Sequence, residues 1–269
     1  MAELALPVVA TLFVWWFATG LILYLDGLPP RSFKWTMLAS TVLLGLAFAG
    51  LAASSAHATP AGAYCAFAWA ILVWAWQEIA FLLGYVTGPR RTPCPAGCTA
   101  WQRTRCAVET VLHHELALLL LALAVWALTH DAPNATGWWT FVILWAMRQS
   151  AKLNVFLGVR NLYEDFLPPH LKYLQSYFTR KPMNWLWPLS VAAATLVAVP
   201  VWQAALAAPE AFGATSATLL ATLLTLAIVE HAFMVLPLPS EKLWQWGLRS
   251  HTRYGAAAAA PRVEIRPAD

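Results

Sequence analysis

Ionisable residues interrupt several apolar stretches of this chain, and their types suit three kinds of chemistry. They are Glu78, Glu109, His113, His114, Glu115, Arg148, Lys152, Glu230 and His231. Glutamate and histidine ligate metal ions, a neutral imidazole ligates the central metal of a tetrapyrrole, and acids and bases neutralise one another. A charge inside hydrocarbon costs on the order of several kcal/mol, so such residues pair with one another or mark function.

The composition places these residues in a membrane. Of the 269 residues, 60% are hydrophobic and 11% are charged, whereas a soluble domain carries about 25% charge. The 16 tryptophans fit membrane interfaces, where the ring is apolar and its N–H reaches water. A net charge of +4 gives no indication of nucleic acid binding. We therefore expect the lipid bilayer, and no nucleic acid, as a partner.

Seven apolar runs reach the roughly 20 residues that a helix needs to cross a bilayer. The predicted spans are 6–24, 35–53, 63–86, 107–129, 138–159, 187–206 and 214–236. Proline and glycine separate them, as at Pro29-Pro30, Gly88-Pro89 and Pro168-Pro169. The fold class predicted from this pattern is an all-α integral membrane protein with seven transmembrane helices.

The charges of the connecting segments predict the orientation. Lysine and arginine occur in alternate connections, at Arg31 and Lys34, then around 90–105, then around 160–181, and finally beyond residue 241. The N-terminus and the intervening connections carry no lysine or arginine. The positive-inside rule therefore predicts a periplasmic N-terminus and a cytoplasmic C-terminus.

Two cytoplasmic segments mix bulky apolar residues with cations. They lie near 168–185 and 240–250, and this mixture is typical of helices in the headgroup region. Such a segment anchors the protein or docks a partner helix. We thus expect one seven-helix domain over 1–254 that includes both interfacial segments, followed by a disordered cytoplasmic tail over 255–269, which is rich in alanine and proline.

The ionisable residues fall at similar depths in the predicted bundle. At 1.5 Å of helix rise per residue, Glu78, His114, Lys152 and Glu230 lie within a few ångström of one height in the cytoplasmic half. Glu109 and His113 share one helix face because they are four residues apart, as do Arg148 and Lys152. We therefore expect a buried charge cluster, which comprises Glu78, Glu109, Glu115, Arg148, Lys152 and Glu230.

Three hypotheses for this cluster remain open at the level of sequence. The cations can neutralise the acids in a purely structural core. A metal site can form, with ligands drawn from Glu78, Glu109, His113, Glu115, Glu230 and His231. The third hypothesis is pigment handling, in which His113, His114 or His231 contacts a bacteriochlorophyll or a precursor of it.

Cysteines form a second, weaker motif. Cys94, Cys98 and Cys106 share one predicted cytoplasmic segment. A reducing cytosol disfavours disulfides there. Cys94 and Cys98 offer two thiolates, whereas a structural zinc site uses four ligands. The motif therefore gives little support to a metal site.

The stretch 148–161 begins Arg-Gln-Ser-Ala-Lys, which is unusual inside an apolar span. Together with 163–171, the Pro-Ser-Glu-Lys-Leu-Trp-Gln-Trp run at 239–246 and His113-His114-Glu115, it resembles the PuhE family of photosynthetic complex assembly proteins from purple and related phototrophic bacteria. The resemblance covers nearly the whole chain, although residues of the amino-terminal half match mainly in hydropathy.

This resemblance implies a multi-pass protein of the bacterial inner, or intracytoplasmic photosynthetic, membrane. It further implies help in assembling the reaction centre and core antenna, or adjustment of bacteriochlorophyll supply to them. Reaction-centre subunits, core-antenna subunits or other assembly factors are the implied partners, and no residue inherits a catalytic role.

Two other function classes remain open. A membrane metalloenzyme of oxidative type, with one zinc or two metal ions, acting on a tetrapyrrole or isoprenoid would use the same glutamates and histidines. A proton or solute pathway would require a water-filled cavity through the cluster.

Overall fold

The backbone turns at prolines and glycines, and long apolar helices run between these turns. A computed structural model of the chain describes residues 2–255. The α-helices are α1 (Ala2–Asp26), α2 (Pro30–Ser55), α3 (Pro60–Leu82), α4 (Ala100–Thr129), α5 (Thr136–Leu157), α6 (Leu186–Ala207), α7 (Ala211–Val235) and α8 (Gln245–Gly255). Short 3₁₀ helices lie at Glu164–Phe166, Pro169–Tyr177 and Ser240–Trp244. The described residues form no strand, only an isolated bridge between Val159 and Arg180.

Local signals explain where the helices begin and end. Thr99 and Gln102 form a capping box, so α4 begins seven residues before the predicted span. Pro60 occupies the first turn of α3, and the hydroxyl of Thr59 accepts a hydrogen bond from the Gly62 amide over 3.0 Å. Helix α3 ends at Leu82, earlier than predicted, because Gly84 adopts a left-handed φ of 80°.

Among the described residues, six helices are long and apolar enough to cross a membrane, namely α1 from Leu4, α2, α3, α4, α6 and α7. Helix α5 has 22 residues but is not among them. Its carboxyl half carries Arg148, Gln149, Lys152 and Asn154, which lower its hydropathy. The structure therefore confirms an all-helical protein with several membrane-type helices, whereas the seventh span and the orientation stay predictions.

Helices α3 and α7 form the centre of the bundle. The buried share of their apolar windows is 56% and 50%, compared with 17% for α1, α2 and α6. The largest core cluster joins α2, α3, α4 and α5 around Leu51, Val73, Leu118 and Phe141. The outer helices leave leucine, valine and tryptophan exposed, as expected of surfaces that face lipid.

The segment between α5 and α6 closes one end of the bundle. Its long 3₁₀ helix buries Leu171 and Leu174 against Phe81 and Leu82 of α3. The Asn184 side chain donates to the Asn154 and Gly158 carbonyls over 3.1 and 2.9 Å. The segment near 168–185, predicted to be interfacial, therefore also packs into the bundle.

The segment near 240–250 packs along α1. Trp16 donates its indole N–H to the Leu243 carbonyl over 2.8 Å. The imidazole Nε2 of His251 lies 2.5 Å from the carboxylate Oδ1 of Asp26. Later residues of α1 contact later residues of the 240–251 segment, so α8 runs beside α1 in the same direction. Gly247 permits this contact, because a Cβ there would lie 2.3 Å from the Gly20 carbonyl oxygen. The predicted tail, 255–269, lies outside the described residues except for Gly255.

Candidate ligand cavity and buried charge layer

A cavity of about 700 Å³ lies inside the bundle. Its walls come from α1, α3, α4, α5 and α7, the 3₁₀ segments after α5, and Trp244. This volume falls within the roughly 300–1,000 Å³ of small-molecule sites. Most of the wall is apolar, as at Val14, Ile71, Met147 and Leu223, and one layer is charged.

Two ion pairs across helices form most of this charged layer. Arg148 of α5 donates to the Glu78 carboxylate of α3 over 2.9 Å. Lys152, one turn further along α5, donates to Glu115 of α4 over 2.6 Å. Gln149 also donates to Glu115, over 2.7 Å. Each pair offsets part of the cost of placing a charge in an apolar bundle, and the two pairs account for the two cations predicted inside a span.

Glu230 is the third acid of the layer. Its carboxylate accepts a hydrogen bond from the Trp15 indole over 2.7 Å. Glu230 is an exposed residue and belongs to the cavity wall. With Glu78 and Glu115 balanced by Arg148 and Lys152, Glu230 adds an acidic oxygen that can bind a polar group of a ligand.

An aromatic wall adjoins Glu230. Trp15 and Trp244 meet edge to face with their ring centroids 5.1 Å apart. Phe166 meets Trp244 at 6.0 Å and stacks on Tyr163 at 5.3 Å. All four rings line the cavity, and together with the Glu230 carboxylate they form a surface suited to a large planar or apolar group.

Tyr163 is held in an uncommon conformation beside this wall. Its φ of 52° lies in the left-handed region, which costs a residue with a side chain on the order of 1–3 kcal/mol. Its hydroxyl lies 3.0 Å from the Ser240 hydroxyl. Burial raises the pKa of Tyr163 to about 12, so this hydroxyl stays protonated at neutral pH. The surrounding packing thus fixes the ring against Phe166.

His231 lines the cavity, but both of its ring nitrogens are engaged. Nδ1 lies 2.9 Å from the Ala227 carbonyl oxygen and must therefore carry the proton. Nε2 lies 2.8 Å from the Ser150 hydroxyl and accepts from it. Ser150 in turn neighbours Asn154, which bonds to Ser190. A metal or pigment could be ligated by His231 only after Ser150 releases Nε2.

The two adjacent histidines of α4 face different surroundings. His114 is 1% exposed and packs against Phe81, with ring centroids 4.6 Å apart. Neither of its ring nitrogens has a hydrogen-bond partner within residues 2–255. His113 lies on the exposed face of α4. Neither residue belongs to the cavity wall.

Glu109 lies apart from the charge layer. It accepts from Arg105 one turn earlier on α4 over 3.0 Å, and the Arg105 side chain is 74% exposed. The structure therefore unites Glu78, Glu115, Arg148, Lys152, Glu230 and His231 around the cavity, but not Glu109, His113 or His114.

The predicted metal ligands do not converge. Within the described ranges, no three residues of histidine, cysteine, aspartate or glutamate are close enough together to hold a metal ion. The glutamates instead bond to Arg105, Arg148, Lys152 and Trp15. This donor arrangement does not fit a zinc or carboxylate-bridged site, so the metal hypothesis gains no support.

The cysteine motif between α3 and α4 brings two sulfur atoms together. Cys94 Sγ and Cys98 Sγ lie 2.9 Å apart without a disulfide. Gly97, with φ of 71°, makes the turn between them. The Cys94 amide donates to Ser176 over 2.8 Å, which ties this loop to the 3₁₀ helix after α5.

Comparison with known sequences identifies the family. The family described as a protein of unknown function, DUF3623, matches residues 1–254. This chain belongs to the DUF3623 family. A relative from Rhodobacter capsulatus, described as an uncharacterized 30.4 kDa protein in the puhA 5′ region, is 41% identical over 254 residues, which cover 91% of each chain. No solved structure matches this DUF3623 protein.

Sequence reasoning missed several cavity residues of this DUF3623 protein. Trp15, Gln149, Tyr163 and Trp244 all line the cavity. Trp15 lies in the middle of the predicted span 6–24 and Trp244 in the segment near 240–250, and only the packing of that segment along α1 brings the two rings together. Gln149 offered a signal, because a polar residue between Arg148 and Lys152 in an apolar span requires a partner.

Proposed function

We propose that this protein takes part in assembling photosynthetic complexes in the bacterial inner membrane. In this proposal it holds a bacteriochlorophyll, or a precursor, for delivery to reaction-centre or core-antenna subunits. The observation that carries the proposal is the 700 Å³ cavity inside the bundle, with an aromatic wall beside Glu230. The relative from Rhodobacter capsulatus, described as a protein in the puhA 5′ region, supports the photosynthetic context that the resemblance to the PuhE family implies.

The proposed topology has seven spans, with a periplasmic N-terminus and a cytoplasmic C-terminus. In this topology helix α5 also crosses the membrane and brings the six apolar helices to seven spans, because Glu78 and Glu115 neutralise its two cations. It packs between α3, α4 and α7, so its polar face avoids lipid. The lysines and arginines in alternate connections supply the orientation.

The polar layer and the aromatic wall form the pigment contacts in this proposal. Trp15, Trp244 and Phe166 pack against a ring, while the exposed parts of Arg148 and Lys152 donate to its carbonyl or carboxylate oxygens. Among the predicted histidines only His231 lines the cavity, and Ser150 already donates to its Nε2. We therefore assign pigment retention to the walls rather than to histidine ligation.

The test is a spectrum of the protein purified in mild detergent from a phototrophic host, together with metal analysis. The expected result is bound tetrapyrrole, whose amount falls when Trp15 is changed to Leu and is unaffected when the exposed Trp139 is changed to Leu. A deletion strain should accumulate less reaction centre and core antenna, and wild-type protein should restore them. A colourless preparation, combined with normal complexes in the deletion strain, overturns the proposal.

A further inference from the structure

The outward face of α4 touches the cavity at one position. Exposed residues recur along this helix at the spacing of a single stripe, namely Trp101, Arg105, Val108, Leu112, Leu116, Leu119 and Leu123. Val108 is 51% exposed and also belongs to the cavity wall, unlike the other residues of the stripe. The cavity therefore reaches the outer surface of the bundle beside Val108.

Helix α5 repeats this arrangement. Trp139, Ala146 and Leu153 are its exposed residues, and they share one face at heptad spacing. Leu153 is 53% exposed and lines the cavity, whereas Trp139 and Ala146 do not line it. The exposed faces of α4 and α5 each contribute one residue to the cavity wall, Val108 and Leu153. We therefore place the opening of the cavity between these two helices.

Polar contacts between the two helices frame this opening. On one side, Glu115 of α4 accepts from Lys152 and Gln149 of α5. On the other side, Arg103 of α4 donates to the Phe156 carbonyl of α5 over 2.9 Å. Arg103 and Glu115 lie about 18 Å apart along a helix that rises 1.5 Å per residue. Between them, apolar side chains such as Val108 and Leu153 line both edges.

We propose that this opening, the α4–α5 portal, admits an amphiphile with a long hydrocarbon chain sideways from the bilayer. The polar or ring portion binds in the cavity against Arg148 and Glu230, and the chain leaves between Val108 and Leu153 into lipid. Apolar exposed neighbours such as Leu112 and Leu116 place the portal on a lipid-facing surface. The inference rests on the proposed function, for which it specifies a tetrapyrrole esterified with a hydrocarbon chain.

The first experiment compares uptake of one tetrapyrrole with and without its ester chain by purified protein in bilayer nanodiscs. Wild-type protein should bind the chain-bearing form more tightly. Val108→Trp and Leu153→Trp should slow its uptake about tenfold, because entry then requires the side chain to move. Leu120→Trp is the matched control, since Leu120 is 68% exposed on α4 and does not line the cavity. Equal uptake by all three variants, or measurable binding of both tetrapyrroles with the same affinity, overturns the portal.

A second experiment tests the portal independently of tetrapyrrole binding. A phospholipid with a photoreactive diazirine in its acyl chain should label residues of α3 that line the cavity, such as Ile71. The Leu153→Trp variant should lose this labelling, and the Leu120→Trp variant should keep it. If tetrapyrrole fails to bind but this pattern holds, the proposed function fails and the portal stands. Absence of labelling inside the cavity of wild-type protein overturns the portal itself.

Discussion

Arg148 of α5 donates to Glu78 of α3 over 2.9 Å, although both residues lie in long apolar helices. The Glu78 side chain is 11% exposed and the Arg148 side chain is 41% exposed. The acid is therefore enclosed by protein, while the guanidinium keeps a surface toward the cavity. Arg148 therefore has two roles: it neutralises a buried carboxylate, and it can also contact a ligand in the cavity.

Changing Arg148 to Met should leave the Glu78 carboxylate without its cation. We expect the free energy of unfolding to fall by about 2 kcal/mol. Removing one partner of a fully buried ion pair costs roughly 3–5 kcal/mol, and the cost here is lower because Arg148 is partly exposed. Thermal unfolding in detergent measures the change. Adding Glu78→Gln should recover most of it. Arg105→Met, which breaks an exposed pair with Glu109, is the control and should cost less than about 0.5 kcal/mol.

Replacing His231 with Phe should destabilise the fold without selective loss of pigment. The change removes the acceptor of Ser150 and the donor to Ala227, which costs about 1–3 kcal/mol for groups left unsatisfied in the interior. Unfolding temperature and pigment bound per folded protein are measured together. Loss of pigment at an unchanged unfolding temperature would show instead that His231 is a ligand.

Docking of α8 on α1 should weaken as the pH rises. Burial lowers the pKa of His251, but its hydrogen bond to Asp26 and that residue's charge outweigh burial, so the net pKa is raised. The pair requires both a protonated His251 and an ionised Asp26. Its contribution is therefore lost as the pH rises through the raised folded pKa of His251, and it is also lost at acidic pH, where Asp26 becomes protonated. Lys172, whose charge acts against protonation of His251, lies nearby.

Hydrogen exchange over 245–255, corrected for the intrinsic effect of pH, measures this docking. Protection should be greater at pH 7 than at pH 9 in the wild type. The Asp26→Asn variant should show little difference between the two pH values. An equal pH dependence in both proteins would assign the effect to another group.

The close approach of α8 to α1 depends on Gly247. A Cβ at this position would lie 2.3 Å from a backbone oxygen of Gly20, so Gly247→Ala should destabilise the protein by about 1–3 kcal/mol through overpacking. Gly45→Ala is the matched control, because a Cβ there meets nothing within 4 Å. The control should be neutral or stabilising by roughly 0.5–1 kcal/mol, since alanine favours helix. Equal unfolding temperatures for the two variants would contradict the α1–α8 contact.

Cys94 and Cys98 should form a disulfide readily when an oxidant is supplied. With diamide, the two thiols lose two electrons and two protons, which reduce the diazene to the hydrazine. Mass spectrometry of the peptide that contains both residues should show the intramolecular bond. Gly97→Ala should slow its formation, because alanine disfavours the φ of 71° found there. Preferential pairing of either residue with Cys106 would contradict this arrangement.

Local patterns in the sequence determined the membrane character of the protein and the approximate position of its long helices. Hydrophobic runs and turn residues act over short distances, so spans such as 35–53 and 187–206 lie within α2 and α6. The rule that charges in apolar spans need partners also predicted a cluster around Glu78, Arg148, Lys152 and Glu230. The capping box at Thr99, a local signal as well, explains why α4 begins earlier than hydropathy indicates.

Only the tertiary structure decided which groups meet. Similar depth along the helices did not reveal that Glu78 pairs with Arg148 and Glu115 with Lys152, because rotation of each helix about its axis determines the pairing. The same rotation turns His113 outward and His114 inward on adjacent positions of α4. The aromatic wall depends on contacts between residues more than two hundred positions apart, such as Trp15 with Trp244. Packing of whole helices decides such contacts, and no periodicity within one segment encodes them.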